Sequence, residues 1–158
     1  MIPVEVLDLP MAVEHVLKVI EKKGPQWKHH EDPDHPDSDW STTPTNCFNV
    51  FVERDEDNEI LSVKPGCLIG SALIEMGLDP MWFVDLKGEQ MSFDDIVNEW
   101  PGGRDVVTEA ARRYLQVTQA WQDTGDTWGE AHMRGLQGAL RYRKLTEKEQ
   151  QWMGPRGD

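Results

Sequence analysis

Apolar residues first recur at helical spacing in "MAVEHVLKVIEKKG", where Val13, Val16, Leu17 and Ile20 align while Glu14, Lys18 and Glu21 point elsewhere. That period predicts an amphipathic helix. Asp8 is placed to cap it, Pro10 fits its first turn and Gly24 fits the left-handed position after its last. The pattern then breaks. Residues 25–46, "PQWKHHEDPDHPDSDWSTTPTN", hold four prolines and almost no aliphatic side chain, which predicts a long loop with Trp27 and Trp40 pinning its ends to the core.

Alternation takes over in "CFNVFVER", with Phe48, Val50 and Val52 on one face, and in "EILSVK", with Leu61 and Val63 set against Ile60 and Ser62. The polar run Asp55-Glu56-Asp57-Asn58 between them reads as the turn of a β-hairpin. Such a hairpin is marginal alone, so it is expected to lie on helices. After Pro65-Gly66, "CLIGSALIEMG" is apolar on nearly all sides up to Gly77, which suits a short buried helix with Gly70, Ser71 and Ala72 at a close contact. A further short turn of helix is expected over Pro80 to Asp85, and Ser92 with Asp95 forms a capping box opening "FDDIVNEW".

In the last third, "VVTEAARRYLQVTQAW" places Val107, Ala111, Tyr114, Thr118 and Trp121 on one stripe with Ala110 and Leu115 alongside, leaving Arg112 and Arg113 outside. The corner "WQDTGDTWGEAH" follows. Gly125 supplies the left-handed stop, Thr127 and Glu130 form a capping box, and Trp121 and Trp128 are placed to pack across the reversal. Met133, Leu136, Gln137 and Leu140 then share a face, so the corner reads as that of an αα-hairpin. A last capping box, Thr146 with Glu149, opens a turn carrying Trp152 before residues 153–158 fray. The expected fold is α+β, mostly α: one domain over residues 1–158 with one β-hairpin and a C-terminal αα-hairpin.

Composition sharpens this in three ways. At 158 residues the chain is long enough for one real core, and seven Trp, four Phe and two Tyr supply large apolar surfaces despite a hydrophobic fraction of 38%. No apolar run reaches the length of a membrane helix and the N-terminus lacks the pattern of a secretory signal, so a cytoplasmic location is expected, with Cys47 and Cys67 as reduced thiols and a bridge between them as the alternative. Charge is uneven: 5 basic against 14 acidic groups over residues 1–60, 5 against 12 over 61–133, and 6 against 3 over 134–158. An acidic body repels nucleic-acid phosphate and anionic membrane, which leaves a basic protein partner as the expected class.

Candidate chemistry is sparse. His29, His30, His35 and Asp34 are chemically able to hold a metal, yet their spacing matches no known site and the prolines oppose wrapping one ion; a solvated acidic loop without cofactor is the preferred reading. Cys67 precedes a helix, where a thiolate is favoured, and His132 oriented by Asp123 would complete a Cys-His-acid set for a thiol enzyme; a buried core thiol is the competing reading. The chain carries no P-loop, G-x-G-x-x-G, H-E-x-x-H or G-x-S-x-G motif. A helix-turn-helix over 105–143, with Arg134, Arg141, Arg143 and Lys144 on its second helix, is a DNA-reading alternative that the net charge of −13 disfavours. Trp82 and Phe83, between two breaks and outside any stripe, are expected at a surface and form with Asp55, Glu56 and Asp57 the candidate partner-binding set. Oligomerisation through a Trp and Met patch is a further alternative.

Read in order, "TNCFNVFVERD", "PGCLIGSALIEMGLDP" and "AARRYLQVTQAWQDTGDTWGEA" resemble small uncharacterised proteins of actinobacteria and their bacteriophages. Asn46, Cys47, Cys67, Leu68, Gly70, Gln122, Asp123, Gly125, Trp128, Gly129 and Ala131 carry the likeness, over roughly residues 46 to 131. The resemblance implies a small accessory domain of phage or prophage origin and carries over no catalytic residue.

Overall fold

The computed structural model describes residues 6–28, 48–85 and 92–141. Over these the chain is mostly helical with one two-stranded antiparallel sheet, the architecture that its periodicities predict. The order is α1 (Leu9–Lys23), β1 (Val50–Arg54), β2 (Ile60–Pro65), α2 (Leu68–Glu75), α3 (Pro80–Asp85), α4 (Phe93–Asn98), a 3-10 turn (Arg104–Val106), α5 (Glu109–Asp123) and α6 (Trp128–Leu140). Residues 29–47, with Trp40, Cys47 and the histidines 29, 30 and 35, lie outside the described residues, as do the Thr146 box and the tail.

Helix α1 starts and stops where its punctuation directs. The Asp8 carboxylate accepts the Met11 amide at 3.0 Å, and Gly24, at φ 95°, donates to the Ile20 carbonyl. Its buried arc is Leu9, Ala12, Val13, Val16, Val19 and Ile20; Leu17 is exposed, because the helix turns a narrower face onto α2 and α5 than the run of apolar letters suggests. A parallel bridge from Leu7 to Val107 ties the start of α1 to the start of α5.

The hairpin pairs Val50 with Pro65 and Val52 with Val63, and a bulge between Glu53 and Arg54 brings the strands into the turn. Asn58 sits at φ 65°, the left-handed region that asparagine tolerates. As expected, the sheet rests on helices, β2 against α2 and α3. Phe48 and Phe51 pack together at 6.4 Å, and Leu61 is left 60% exposed.

Helices α5 and α6 form the expected αα-hairpin, but each presents a face shifted from the predicted stripe. On α5 the buried residues are Ala110, Ala111, Tyr114, Leu115, Thr118, Gln119 and Gln122, whereas Trp121 is 38% exposed. On α6 the inward face is Trp128, Ala131, His132, Gly135 and Ala139, while Met133 is 50% exposed and Gln137 faces out. Close approach explains α6. A Cβ on Gly135 would overlap the Thr118 hydroxyl and one on Gly138 would press on Val117, so only small residues permit this interhelical distance. Those pairs, with Arg134 over Trp121, set α5 and α6 side by side across the reversal.

Candidate functional site

The residues that carried the candidate chemistry fall at three places. The first is the N-terminus of α2. The backbone of Phe48 and Asn49 closes over it: the Cys67 amide donates to the Phe48 carbonyl at 2.7 Å and the Gly66 amide to the Asn49 carbonyl at 3.0 Å. Any side chain on Gly66 or Gly70 would overlap those carbonyls, so both positions require glycine for space. Cys67 caps the helix through sulfur, accepting the Gly70 amide at 3.3 Å and lying 3.4 Å from Asn49 Oδ1. Gln122 arrives from α5, and its Oε1 accepts the buried Leu68 amide at 2.6 Å while its Nε2 donates to Asp123 at 3.0 Å.

This knot assembles Cys67, Leu68, Gly70, Gln122 and Asp123, and its contacts join the start of α2 to the chain before β1 and to α5. Cys67 is a free thiol with 0% exposure. The proposed imidazole partner is elsewhere: His132 Nδ1 and the Tyr114 hydroxyl share a buried hydrogen bond at 2.6 Å. Burial pushes the His132 pKa down and the Tyr114 pKa up, so both stay neutral near pH 7. Among the described residues no hydrogen bond joins Cys67 to His132, and Asp123 is engaged by Gln122 instead of the imidazole. The Cys-His-acid set is not assembled.

The second place is the corner. Gly125, at φ 96°, closes α5, and Thr127 Oγ1 accepts the Glu130 amide at 3.2 Å to open α6, as its letters predict. The tryptophans do not pack across it. Trp128 is buried edge-on against Trp27, with centroids 6.3 Å apart, and the Trp27 and Pro25 carbonyls accept the Trp128 and Gly129 amides. The chain leaving α1 therefore caps α6, and Gly129 leaves Pro25 the room to do so. Trp121 faces solvent under Arg134.

The third place is the hairpin turn. Glu53, Asp55, Glu56, Asp57 and Glu59 are all exposed within seven residues, and Arg54 is the one cation among them. Asp55 Oδ1 accepts the Asp57 and Glu59 amides at 2.9 and 2.8 Å, an arrangement that fixes the turn through its own carboxylate. Helix α3 packs on β2, the strand that leaves this turn. Phe83 does not join a surface there: it is fully buried. Trp82 is half-buried in an edge-on cluster with Phe83 at 5.3 Å and Trp100 at 6.4 Å. Leu61 on β2 and Met81 on α3 are exposed apolar residues.

Comparison with known proteins returned nothing. No family model, curated protein or solved structure matches the chain. Among the described residues no group of three or more His, Cys, Asp or Glu side chains could hold a metal ion, and no helix is long and apolar enough to cross a membrane. The metal candidates His29, His30, His35 and Asp34 lie outside those residues. What the sequence concealed was the role of two glutamines: Gln119 Oε1 accepts the Phe93 amide at 2.7 Å, as Gln122 does for Leu68, so one face of α5 satisfies the first amide of α4 and of α2. The only signal for either was a polar residue one turn from an apolar stripe.

Proposed function

We propose that the chain is a non-enzymatic binding protein that meets a basic protein partner through the acidic turn between β1 and β2. The observation that carries this reading is the run of five exposed carboxylates held in a turn that Asp55 orders by itself. A turn already fixed loses little freedom on association, so its charge is available for attraction without a large ordering cost. Leu61, just after the turn on β2, supplies exposed apolar surface beside the charge, the mixture that protein interfaces use. The burial of Cys67 and the diversion of His132 to Tyr114 weigh against a thiol enzyme.

In its fuller form the proposal is a phage or prophage accessory factor acting in the host cytoplasm, with the carboxylates standing where nucleic-acid phosphates would contact a basic groove. The test is affinity capture from an actinobacterial lysate with the wild-type chain and with Glu56→Lys/Asp57→Lys, both positions being exposed. The expected result is a basic protein retained by the wild type and lost by the variant. Equal retention by both would overturn the assignment of the turn.

A further inference from the structure

Arginines that no carboxylate neutralises are costly to bring together, and in this chain acidic groups outnumber basic ones by 29 to 16. Three of the six described arginines have found a partner: Arg112 pairs with Asp94 and Glu109, Arg104 with Asn98, and Arg54 with the Asn58 carbonyl. Three have not. Arg113 of α5, Arg134 of α6 and Arg141 at the end of α6 line one groove between the two helices, of about 260 Å³, with no carboxylate among the described residues of its wall. None of the three makes a hydrogen bond or ion pair among the described residues, and Arg134 lies instead over the indole of Trp121, 4.3 Å from the ring centroid. Arg141 has a local reason to be there, since a cation at a helix C-terminus is favourable. Arg134 has its contact with Trp121, and Arg113 has neither.

We infer that this groove is a binding site for a nucleoside phosphate, either free or as the 5′-phosphorylated end of a single strand. The inference is independent of the acidic turn. Guanidinium groups present forked donors that match phosphate oxygens, and three arginines line this groove with no carboxylate among the described residues of its wall. The exposed Trp121, already stacked by Arg134, offers the aromatic and cationic surface on which a nucleobase stacks. The outward-facing Gln137 in the same wall carries both a donor and an acceptor, the pair needed to meet a base edge. The volume is below that of most drug-sized sites and suits a ligand of one nucleotide. Overall negative charge does not oppose this as it opposes a duplex: at physiological salt, charges beyond about 8 Å are largely screened, and a small anion in the groove feels chiefly the three guanidiniums around it.

Calorimetric titration of the full chain with four probes tests it: adenosine 5′-monophosphate, adenosine, inorganic phosphate and a short 5′-phosphorylated single-stranded oligonucleotide. The nucleotide is expected to bind, with adenosine and phosphate each weaker by about tenfold or more, because each keeps only half of the contacts. An oligonucleotide that binds more tightly than the mononucleotide identifies a strand end as the ligand; one that does not identifies the free nucleotide. Arg113→Gln and Arg141→Gln, both at exposed positions, should each weaken the nucleotide by roughly tenfold or more, the first at unchanged melting temperature and the second with only the small loss that follows from removing a C-terminal cation. Trp121→Ala should weaken the nucleotide and leave phosphate alone. No binding of nucleotide or oligonucleotide at low salt would overturn the inference, as would phosphate binding as tightly as nucleotide, or arginine variants that bind like the wild type. Self-association abolished by the arginine substitutions, without nucleotide binding, would overturn it in favour of the acidic turn of a second copy as the occupant.

Discussion

Replacing Gln122 by methionine removes one acceptor while nearly keeping the side chain's volume and length. In the wild type, Gln122 Oε1 lies 2.6 Å from the Leu68 amide, the first amide of α2, and both groups are buried. That amide has no intrahelical acceptor, and the Asn49 and Phe48 carbonyls next to it already serve Gly66 and Cys67. Water does not reach the site. A buried donor left unmade costs about 1–3 kcal/mol, and loss of the Nε2 bond to Asp123 adds to this only slightly because that contact is half-buried. For a chain of this size roughly 2 kcal/mol corresponds to a fall in Tm of about 4–8 °C. Thermal unfolding followed by far-UV circular dichroism measures it, and Gln119→Met, which strands the Phe93 amide in the same way, is the parallel case. A Tm for both variants unchanged from the wild type would refute the claim that α5 caps α2 and α4.

Gly70→Ala should be more damaging than either, at or beyond the upper end of the ~1–3 kcal/mol typical of overpacking, because the added methyl meets the Asn49 main chain and not a movable side chain; chemical denaturation would show it, and a neutral substitution would contradict the close approach. Cys67 should resist iodoacetamide in the native protein and react on unfolding, as followed by intact mass; rapid native modification would reopen the thiol-enzyme reading. Burial lowers the pKa of His132 below its ordinary 6.5, and burial together with Lys18 lowers that of His15, so the unfolded chain binds more protons than the folded one as pH drops below about 6.5. Stability is therefore expected to be fully held above that pH and to decline as acid is added, and His132→Gln should flatten the decline; an acid limb that is identical in the variant would exclude His132 as a cause.

Local punctuation was legible in the sequence because its physics is local. Asp8, Ser92 and Thr127 each cap a helix within three residues of themselves, and Gly24 and Gly125 each sit at a positive φ that an ordinary side chain resists. The phase of the helices was less legible. Counting large apolar residues favoured Leu17, Trp121 and Met133, whereas the structure buries Val19, Gln122 and Gly135. In α6 the determining quantity is how near α5 can come, which rewards the absence of a side chain and is invisible to a hydrophobic count. In α5 two glutamines are buried because amides 26 and 54 residues distant need acceptors, and nothing in the neighbouring letters announces those amides. The partner-binding expectation failed in part for the same kind of reason: Phe83 lies between two breaks in the pattern, yet α3 folds it inward onto the core. The acidic turn was legible throughout, since five carboxylates in seven residues leave few places but solvent.

The central claim is that charge on the hairpin turn selects the partner. It is tested most directly by the salt dependence of binding to a captured partner, measured for the wild type and for Glu56→Gln/Asp57→Gln, in which two charges are removed with little change of shape. The account predicts that affinity falls steeply with rising salt in the wild type, and that the variant binds more weakly with a distinctly shallower slope. Superimposable curves for the two proteins would contradict it.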